Sequence, residues 1–354
     1  MPRHHVNPAT SPGGTDTASK RKIAFLLSLT PDTELRETHM SWVFLQRDRV
    51  LKMKKPVRYA FLDFSTLSAR RAFCHEEVRL NRRLAADVYL GARALTRKPD
   101  GGLALAPAGT EYPEDEVVEW LVEMRRLPES RMLDAAIAAD TVSKRQVEAV
   151  GHLLADFYAG AVHPLISPET YLERQRQQIG LNRAILTSRN FMLDHGRDIR
   201  ALDAVEARLD EHAEEIRSRV AAGWIVEGHG DLRPEHVCIA EPPVIIDCLE
   251  FNEALRMVDP YEEIAVLDME CRRLGADWIG PILIDQVEAR LGHRPSQGVI
   301  DYHIAHRALI RARLALAHLL EPSPRTPEKW EPLARSYLDV AEATLSIGEA
   351  KGAR

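Results

Sequence analysis

Residues 227–250 read EGHGDLRPEHVCIAEPPVIIDCLE, and this stretch decides the fold. Two apolar runs, Val237-Cys238-Ile239 and Val244-Ile245-Ile246, flank a break at Pro242-Pro243. β-branched runs interrupted by prolines predict a short hairpin. Asp231 lies in the loop before the first run and Asp247 at the end of the second. The hairpin is therefore expected to bring two carboxylates to the same end of a small sheet. One carboxylate to orient a hydroxyl and one to hold a divalent cation is the equipment of phosphoryl transfer.

The sequence His229-Gly230-Asp231-Leu232, followed by Ile246-Asp247-Cys248-Leu249-Glu250, resembles the aminoglycoside phosphotransferase/choline kinase-like family, relatives of the protein kinases. That family's pattern is roughly HGDxxxxN, an apolar strand, then IDxx(D/E). The stretch ETHMSWVFL at residues 37–45, with Glu250-Phe251-Asn252, is similar to an uncharacterised bacterial branch of the family. Some members of that branch carry an added P-loop ATPase domain. No GxxxxGK[ST] occurs here, so that domain is expected to be absent. The resemblance runs from about residue 20 to residue 320. It implies an α+β, two-lobed protein-kinase-like fold with ATP between the lobes. A disordered tail (1–19) would precede a small β-rich nucleotide-binding lobe (20–127) and a larger helical catalytic and substrate lobe (128–354).

The same resemblance assigns roles. Asp231 would be the catalytic residue, accepting or orienting the proton of a substrate hydroxyl, with His229 supporting the loop. Arg233 replaces a frequent His and would bind phosphate or pair with Glu235. Asp247 would bind Mg²⁺ directly, and Glu250 would join the metal shell or hydrogen-bond the loop. His236 stands where the family has a metal-binding Asn. Imidazole suits Mn²⁺ better than Mg²⁺, so His236 points to Mg²⁺ held through water, to Mn²⁺, or to a pseudokinase that binds nucleotide without transferring phosphate.

In the amino-terminal half, Ser41–Leu45 and Arg49–Met53 read as a hairpin. Lys52 is the candidate for the phosphate-binding strand lysine. Lys54 is its competitor, because a period of two puts both on one face. FSTLSARRAFCHEEVRLNRRL, residues 64–84, predicts a helix with Ser65 as N-cap. It would supply Glu77, or next to it Glu76, as the lysine's partner. No glycine-rich loop precedes the first strand. Thr38 and Ser41 take that place, with hydroxyl and N–H groups able to meet phosphates or simply to form a turn. Tyr89–Leu95 and Glu119–Met124 are expected as the last strands, separated by a turn at residues 98–102. The resemblance makes Met124 to Arg126 the start of the hinge that pairs with adenine.

Further on, residues 143–161 predict a helix, and residues 169–222 two helices broken near His195-Gly196. Eight acidic residues and one Arg occupy Asp247 to Glu270. An acidic cleft would attract an amine-bearing acceptor. Alternatively, Asp259-Pro260 reads as an N-cap with Pro at N1, and Glu262 and Glu263 as first-turn acids complementing the helix dipole. Helices are expected at residues 278–291, 301–320 and 329–345, with a frayed end.

Composition sets the outer bounds. A hydrophobic fraction of 45% and a charged fraction of 28% over 354 residues describe a soluble globular chain with ample core. A net charge of −6 argues against nucleic-acid binding. No apolar run approaches membrane-spanning length, and the polar N-terminus lacks a signal peptide's apolar core. The four cysteines lack zinc-ligand spacing and read as core residues in a reducing cytoplasm. GxSxG is absent, as is the HRD, DFG, APE series, which sets aside a serine hydrolase and a protein kinase. The expected partner is a small-molecule hydroxyl acceptor.

Overall fold

The computed structural model describes residues 17–352, except 60, 61, 108, 109, 111, 114, 192, 194, 322, 323 and 325. Two compact units emerge: Met1–Glu129 with Ile245–Glu253, and Ser130–Val244 with Ala254–Arg354.

The first unit is built on one antiparallel sheet. Its strands are β1 (Glu34–Glu37), β2 (Ser41–Leu45), β3 (Arg49–Lys54), β6 (Tyr89–Arg97), β7 (Leu103–Leu105) and β8 (Val117–Arg125), ordered β1-β2-β3-β8-β6-β7. A two-residue pair, β4 (Arg58–Tyr59) and β5 (Leu62–Asp63), precedes helix α2 (Leu67–Ala85). The first helix, α1 (Thr17–Leu27), begins inside the stretch expected to be tail; residues 1–16 lie outside the described residues. Its Leu26 is fully buried in a cluster with Trp42, Phe44, Leu51, Met53, Leu95 and Leu121. Burying such a leucine is worth about 2 kcal/mol, so the sheet supplies a reason for helix that the local sequence does not. Lys22 adds an ion pair with Glu119 at 2.8 Å.

α2 starts later than expected. Thr66, not Ser65, is the N-cap, accepting from the Ala69 N–H. Ser65 instead turns both its N–H and its hydroxyl to Asp63. The turn at residues 98–102 forms as expected, with Gly101 in the left-handed region (φ 80°).

The second unit is helical. It comprises α3 (Leu133–Ala138), α4 (Lys144–Ala159), α5 (Pro168–Leu186), α6 (His195–Ala221), α7 (Pro260–Arg273), α8 (Ile279–Leu291), α9 (Gln297–Ala317) and α10 (Pro327–Gly352). α4 has a full capping box between Ser143 and Gln146. The two helices expected over residues 169–222 are present, α5 ending at Leu186 and α6 beginning at His195. α10 runs to Gly352, into the stretch expected to be frayed. Short strands β9 (Val226–Glu227) and β12 (Met257–Val258) pair, as do β10 (Val237–Cys238) and β11 (Val244–Ile245). The expected hairpin therefore exists, one residue shorter on each strand.

α7 carries the argument onward. Every residue from Pro260 to Cys271 is buried, including Glu262, Glu263, Asp268 and Glu270. A buried carboxylate is tolerable only when paired or hydrogen-bonded, so each of these four must have partners. Among the described residues no helix is long and apolar enough to cross a membrane.

Candidate active site

In the first unit, β3 presents Lys52 and Lys54 on one face, as its period of two requires. Both reach Glu77 of α2: Lys52 Nζ lies 2.9 Å from Oε1 and Lys54 Nζ 2.6 Å from Oε2. Each lysine also meets a second carboxylate. Lys52 is 2.7 Å from Asp247 Oδ1, and Lys54 pairs with Glu250. Lys54 is wholly buried, also lying 4.9 Å from the centre of the Phe64 ring, whereas Lys52 is 16% exposed beside an Asp247 that is 45% exposed. The sequence left Lys52 and Lys54 as rivals; the structure gives them different surroundings, one facing outward and one locked in. Glu76 points elsewhere and pairs with Arg79 at 2.7 Å on the helix surface.

The electrostatics are those of a tight ionic cluster. Burial disfavours the Glu77 carboxylate, but Lys52 and Lys54 outweigh it and hold its pKa below the usual range. Burial likewise opposes the Lys52 charge, and Asp247, Glu77 and Glu250 overcome it, so Lys52 stays protonated well above its ordinary value. Two ammonium groups face three carboxylates, leaving a net charge of −1. A slightly anionic cluster with a half-exposed carboxylate at its edge suits a hard divalent cation. Asp247 is the candidate ligand that fits it, since Glu250 is committed to buried Lys54.

Two residues that sequence reasoning passed over hold Asp247 in place. Its backbone lies in the left-handed region at φ 63°, which costs a non-glycine residue roughly 1 kcal/mol. The Asp247 N–H donates to the Tyr89 hydroxyl at 3.1 Å, and the next N–H, of Cys248, donates to Asn81 Oδ1 at 2.8 Å. Asn81 is itself oriented by donating to the Glu77 carbonyl at 2.8 Å. The helix that supplies Glu77 thus also positions the metal-ligand candidate. Spacing gives a hint only in retrospect, since Asn81 lies one helical turn after Glu77.

Thr38 and Ser41 close a turn between β1 and β2. The Thr38 N–H donates to the Ser41 carbonyl at 2.9 Å, and the Ser41 N–H to Thr38 Oγ1 at 2.9 Å. Of the two uses open to these residues, the turn is the one in place, and it occupies both N–H groups. Met124 is buried in β8. The N–H groups of Arg125 and Arg126 donate to the Val88 and Asp48 carbonyls, at 2.8 and 3.0 Å.

In the second unit, the loop 228–236 wraps around Glu263 of α7. This carboxylate accepts the His229 N–H at 2.9 Å, the Gly230 N–H at 2.7 Å and the Tyr158 hydroxyl at 2.9 Å. Burial pushes its pKa up, against the three donors. Gly228 and Gly230 are needed here for separate reasons. A Cβ on Gly228 would lie 2.7 Å from Val258 and 2.8 Å from Glu263, and Gly230 has φ 89°. The His229 ring is fully buried, and its Nδ1 accepts the Asp231 N–H at 3.3 Å. The ring is thus placed to support the loop, the role expected of it. His236 Nδ1 lies 2.9 Å from the Asp231 carbonyl oxygen. A carbonyl can only accept, so Nδ1 carries the proton and Nε2 is the nitrogen suited to ligation. Arg233 contacts Glu235, the pairing alternative, and its Nε lies 3.7 Å from Glu270.

The acids of α7 are consumed internally. Asp259 caps the helix and pairs with Arg219 at 2.6 Å. Glu262 receives Arg307, Tyr171 and Gln175. Burial opposes its charge, yet Arg307, His303 and Tyr171 bring its pKa down to about 2. Asp268 pairs with Arg272 at 2.9 Å. First-turn dipole chemistry was too weak an account of Glu262 and Glu263, because both are buried structural acceptors.

A family model described as a phosphotransferase enzyme family matches residues 49–296, well over half of the chain. The chain belongs to the phosphotransferase enzyme family. Curated proteins from Mycobacterium tuberculosis (strain ATCC 25618 / H37Rv) and Mycobacterium bovis (strain ATCC BAA-935 / AF2122/97), both uncharacterised, are 29% identical over 303 residues, which is 83% of this chain and 57% of each relative. This phosphotransferase-family chain thus spans a little over half the length of the curated relatives it matches. Among solved structures, a choline/ethanolamine kinase family protein from Mesorhizobium loti aligns with a TM-score of 0.54 at 15% identity, over 93% of this chain and 95% of the other. Choline kinase from Cryptosporidium parvum Iowa II gives 0.53 at 10% identity, over 91% and 90%. At such identities the likeness is one of fold. The fold is the kinase-like α+β architecture expected, with a small β-rich lobe and a larger helical one.

Proposed function

We propose that this phosphotransferase-family chain moves the γ-phosphoryl group of ATP to a hydroxyl of a small molecule. The observation that carries the reading is the Lys52 ammonium held 2.9 Å from Glu77 and 2.7 Å from Asp247. A lysine clamped by a helix glutamate and facing a metal-ligand aspartate is the arrangement that grips a metal–triphosphate complex. Lys52 would bind phosphate oxygens, with Glu77 fixing its position. Asp247 would hold the divalent cation, and His236, which stands in the family's Asn position, is a further ligand candidate through Nε2. When bound, that cation would neutralise charge on the phosphates. The γ-phosphorus bond to the β-bridging oxygen breaks, a bond to the acceptor oxygen forms, and ADP leaves. Asp231 takes or orients the acceptor proton, with His229 and Glu263 holding its loop. An adenine pairing with the hinge would donate to a carbonyl there and would take any N–H donor from beyond Arg126, because the Arg125 and Arg126 N–H groups are already engaged. The Thr38 hydroxyl is also engaged in the turn, donating to the Ser41 carbonyl at 3.2 Å and accepting the Ser41 N–H, so of this pair the Ser41 hydroxyl would be the group to contribute to phosphate binding. Four buried, reduced cysteines fit a cytoplasmic setting.

His236 in the family's Asn position supports a second reading, a pseudokinase that binds nucleotide only. A thermal-shift titration with ATP plus Mg²⁺ or Mn²⁺, followed by an ATP-consumption screen over alcohol acceptors, separates the two. Binding with acceptor-dependent consumption supports transfer. Binding without consumption over the whole screen supports the pseudokinase.

A further inference from the structure

Five ionic side chains of the first unit form a row of alternating charge: Asp247, Lys52, Glu77, Lys54, Glu250. Glu77 joins the two lysines through different oxygens, Oε1 towards Lys52 and Oε2 towards Lys54. The two ends of the row differ. Lys54 is wholly buried and donates to Glu77 Oε2 and to Glu250, whose side chain is 10% exposed. Lys52 donates to Asp247 Oδ1 at 2.7 Å. Glu77 Oε1 lies 2.9 Å from the same nitrogen but outside hydrogen-bond geometry, and it is buried with no hydrogen bond from any described residue. A buried carboxylate oxygen without a donor is uncommon and asks for a reason. A second position for Lys52 supplies one. Turned from Asp247 to Glu77 Oε1, the ammonium would satisfy that oxygen. The four groups left in the row, two ammoniums and two carboxylates, balance without Asp247. Asp247, nearly half exposed, is also the member of the row most open to solvent.

Resting on the phosphotransferase reading, we propose that the Lys52–Asp247 pair is a latch, closed in the empty site, and that Lys54 and Glu250 are its fixed counterweight. Asp247 Oδ1 is available to a divalent cation only when Lys52 turns away. Lys52 reaches phosphate oxygens only when it leaves Asp247. Either ligand alone loses that ion pair uncompensated, whereas the two together share its loss. Cation and nucleotide are therefore coupled through this chain, beyond the complex they form in solution. Glu250 is on this account a positioning residue that acts through Lys54, and not a metal ligand.

The test is equilibrium binding to the full chain, so its result does not depend on turnover. ATP is titrated in EDTA, and Mn²⁺ is titrated without nucleotide. Asp247→Asn removes the charge that holds Lys52 and suits the backbone at φ 63°, which Asn tolerates. It should bind metal-free ATP at least about tenfold more tightly than wild type. Glu250→Gln removes the same charge from the row but leaves Lys52 on Asp247, so it should tighten ATP less. In the second titration, Lys52→Met should bind Mn²⁺ at least about tenfold more tightly than wild type, whereas Lys52→Arg, which keeps a cation on Asp247, should not. Either titration carries the test if a variant in the other fails to fold. The proposal is overturned if folded Asp247→Asn binds metal-free ATP no more tightly than wild type, or if Glu250→Gln tightens it as much. It also falls if folded Lys52→Met leaves Mn²⁺ affinity unchanged, or if Lys52→Arg raises it equally. These results would leave the phosphotransferase reading standing, whereas no ATP binding by wild type or any folded variant, with or without Mn²⁺, would overturn both.

Discussion

Removing the Glu263 carboxylate should loosen the Asp231 loop more than any other single change in the helical unit. In Glu263→Ala, three buried donors lose their acceptor: the His229 and Gly230 N–H groups and the Tyr158 hydroxyl. Each unsatisfied buried donor costs about 1–3 kcal/mol, which gives roughly 3–9 kcal/mol in all. That is a large share of a typical total of about 5–15 kcal/mol. Glu263→Gln keeps one oxygen for the two N–H groups, and its amide can donate to the Tyr158 oxygen. It should cost less than about 1.5 kcal/mol. The pair of variants therefore separates hydrogen-bond acceptance from charge, since both remove the charge. Urea unfolding gives the stability change, and amide exchange at His229 and Gly230 reports the loop itself. Exchange at both should accelerate about 100-fold or more in the Ala variant. A Glu263→Ala protein within about 1 kcal/mol of wild type, with both amides still protected, would refute this account of the loop.

Three further outcomes follow from the same geometry. Lys52→Ala should weaken ATP binding with modest loss of stability, whereas Lys54→Ala should destabilise the fold by about 3 kcal/mol or more, because it removes a wholly buried cation from between the Glu77 and Glu250 carboxylates; calorimetry and ATP titration on both variants check this, and a reversed pattern would exchange their roles. Burial holds the His306 pKa down to about 3, against about 6.5 for a free imidazole; the unfolded chain binds the extra proton in between, so stability is full above about pH 6.5 and falls by about 1.4 kcal/mol per unit towards pH 3. Replacing His306 by Gln should flatten that slope by one proton in unfolding measured across the range, and an unchanged slope would contradict it. If His236 Nε2 is a metal ligand, Mn²⁺ should support more activity than Mg²⁺, and His236→Asn should shift the preference to Mg²⁺; equal rates with both ions in both proteins would put His236 outside the shell.

Much of this was legible from pattern alone. The strands of the small sheet, α2 and the capped starts of α4 and α7 carry local signals, namely alternation, N-cap residues and Pro at N1. The site was legible where one motif supplies it, in Asp231, Asp247 and their neighbours. What escaped depends on tertiary burial. α1 begins within a polar, tail-like stretch and is justified only by the sheet it covers. Lys52 and Lys54 share a face by periodicity, so only their depth distinguishes them. Glu263 sits among first-turn acids, where the helix dipole already offers a reason, and its loop partners lie more than 30 residues away. Tyr89 and Asn81 act through a backbone N–H that no residue pattern records.

The central claim, phosphoryl transfer through Asp231, is tested most directly with γ-labelled ATP, a divalent cation and an acceptor that the consumption screen identifies. Wild type should place the label on the acceptor hydroxyl. Asp231→Asn should bind ATP with unchanged affinity and transfer at least about a thousandfold more slowly. Label transfer by Asp231→Asn within about tenfold of wild type, or ATP binding by wild type with no label on any acceptor, would contradict the account.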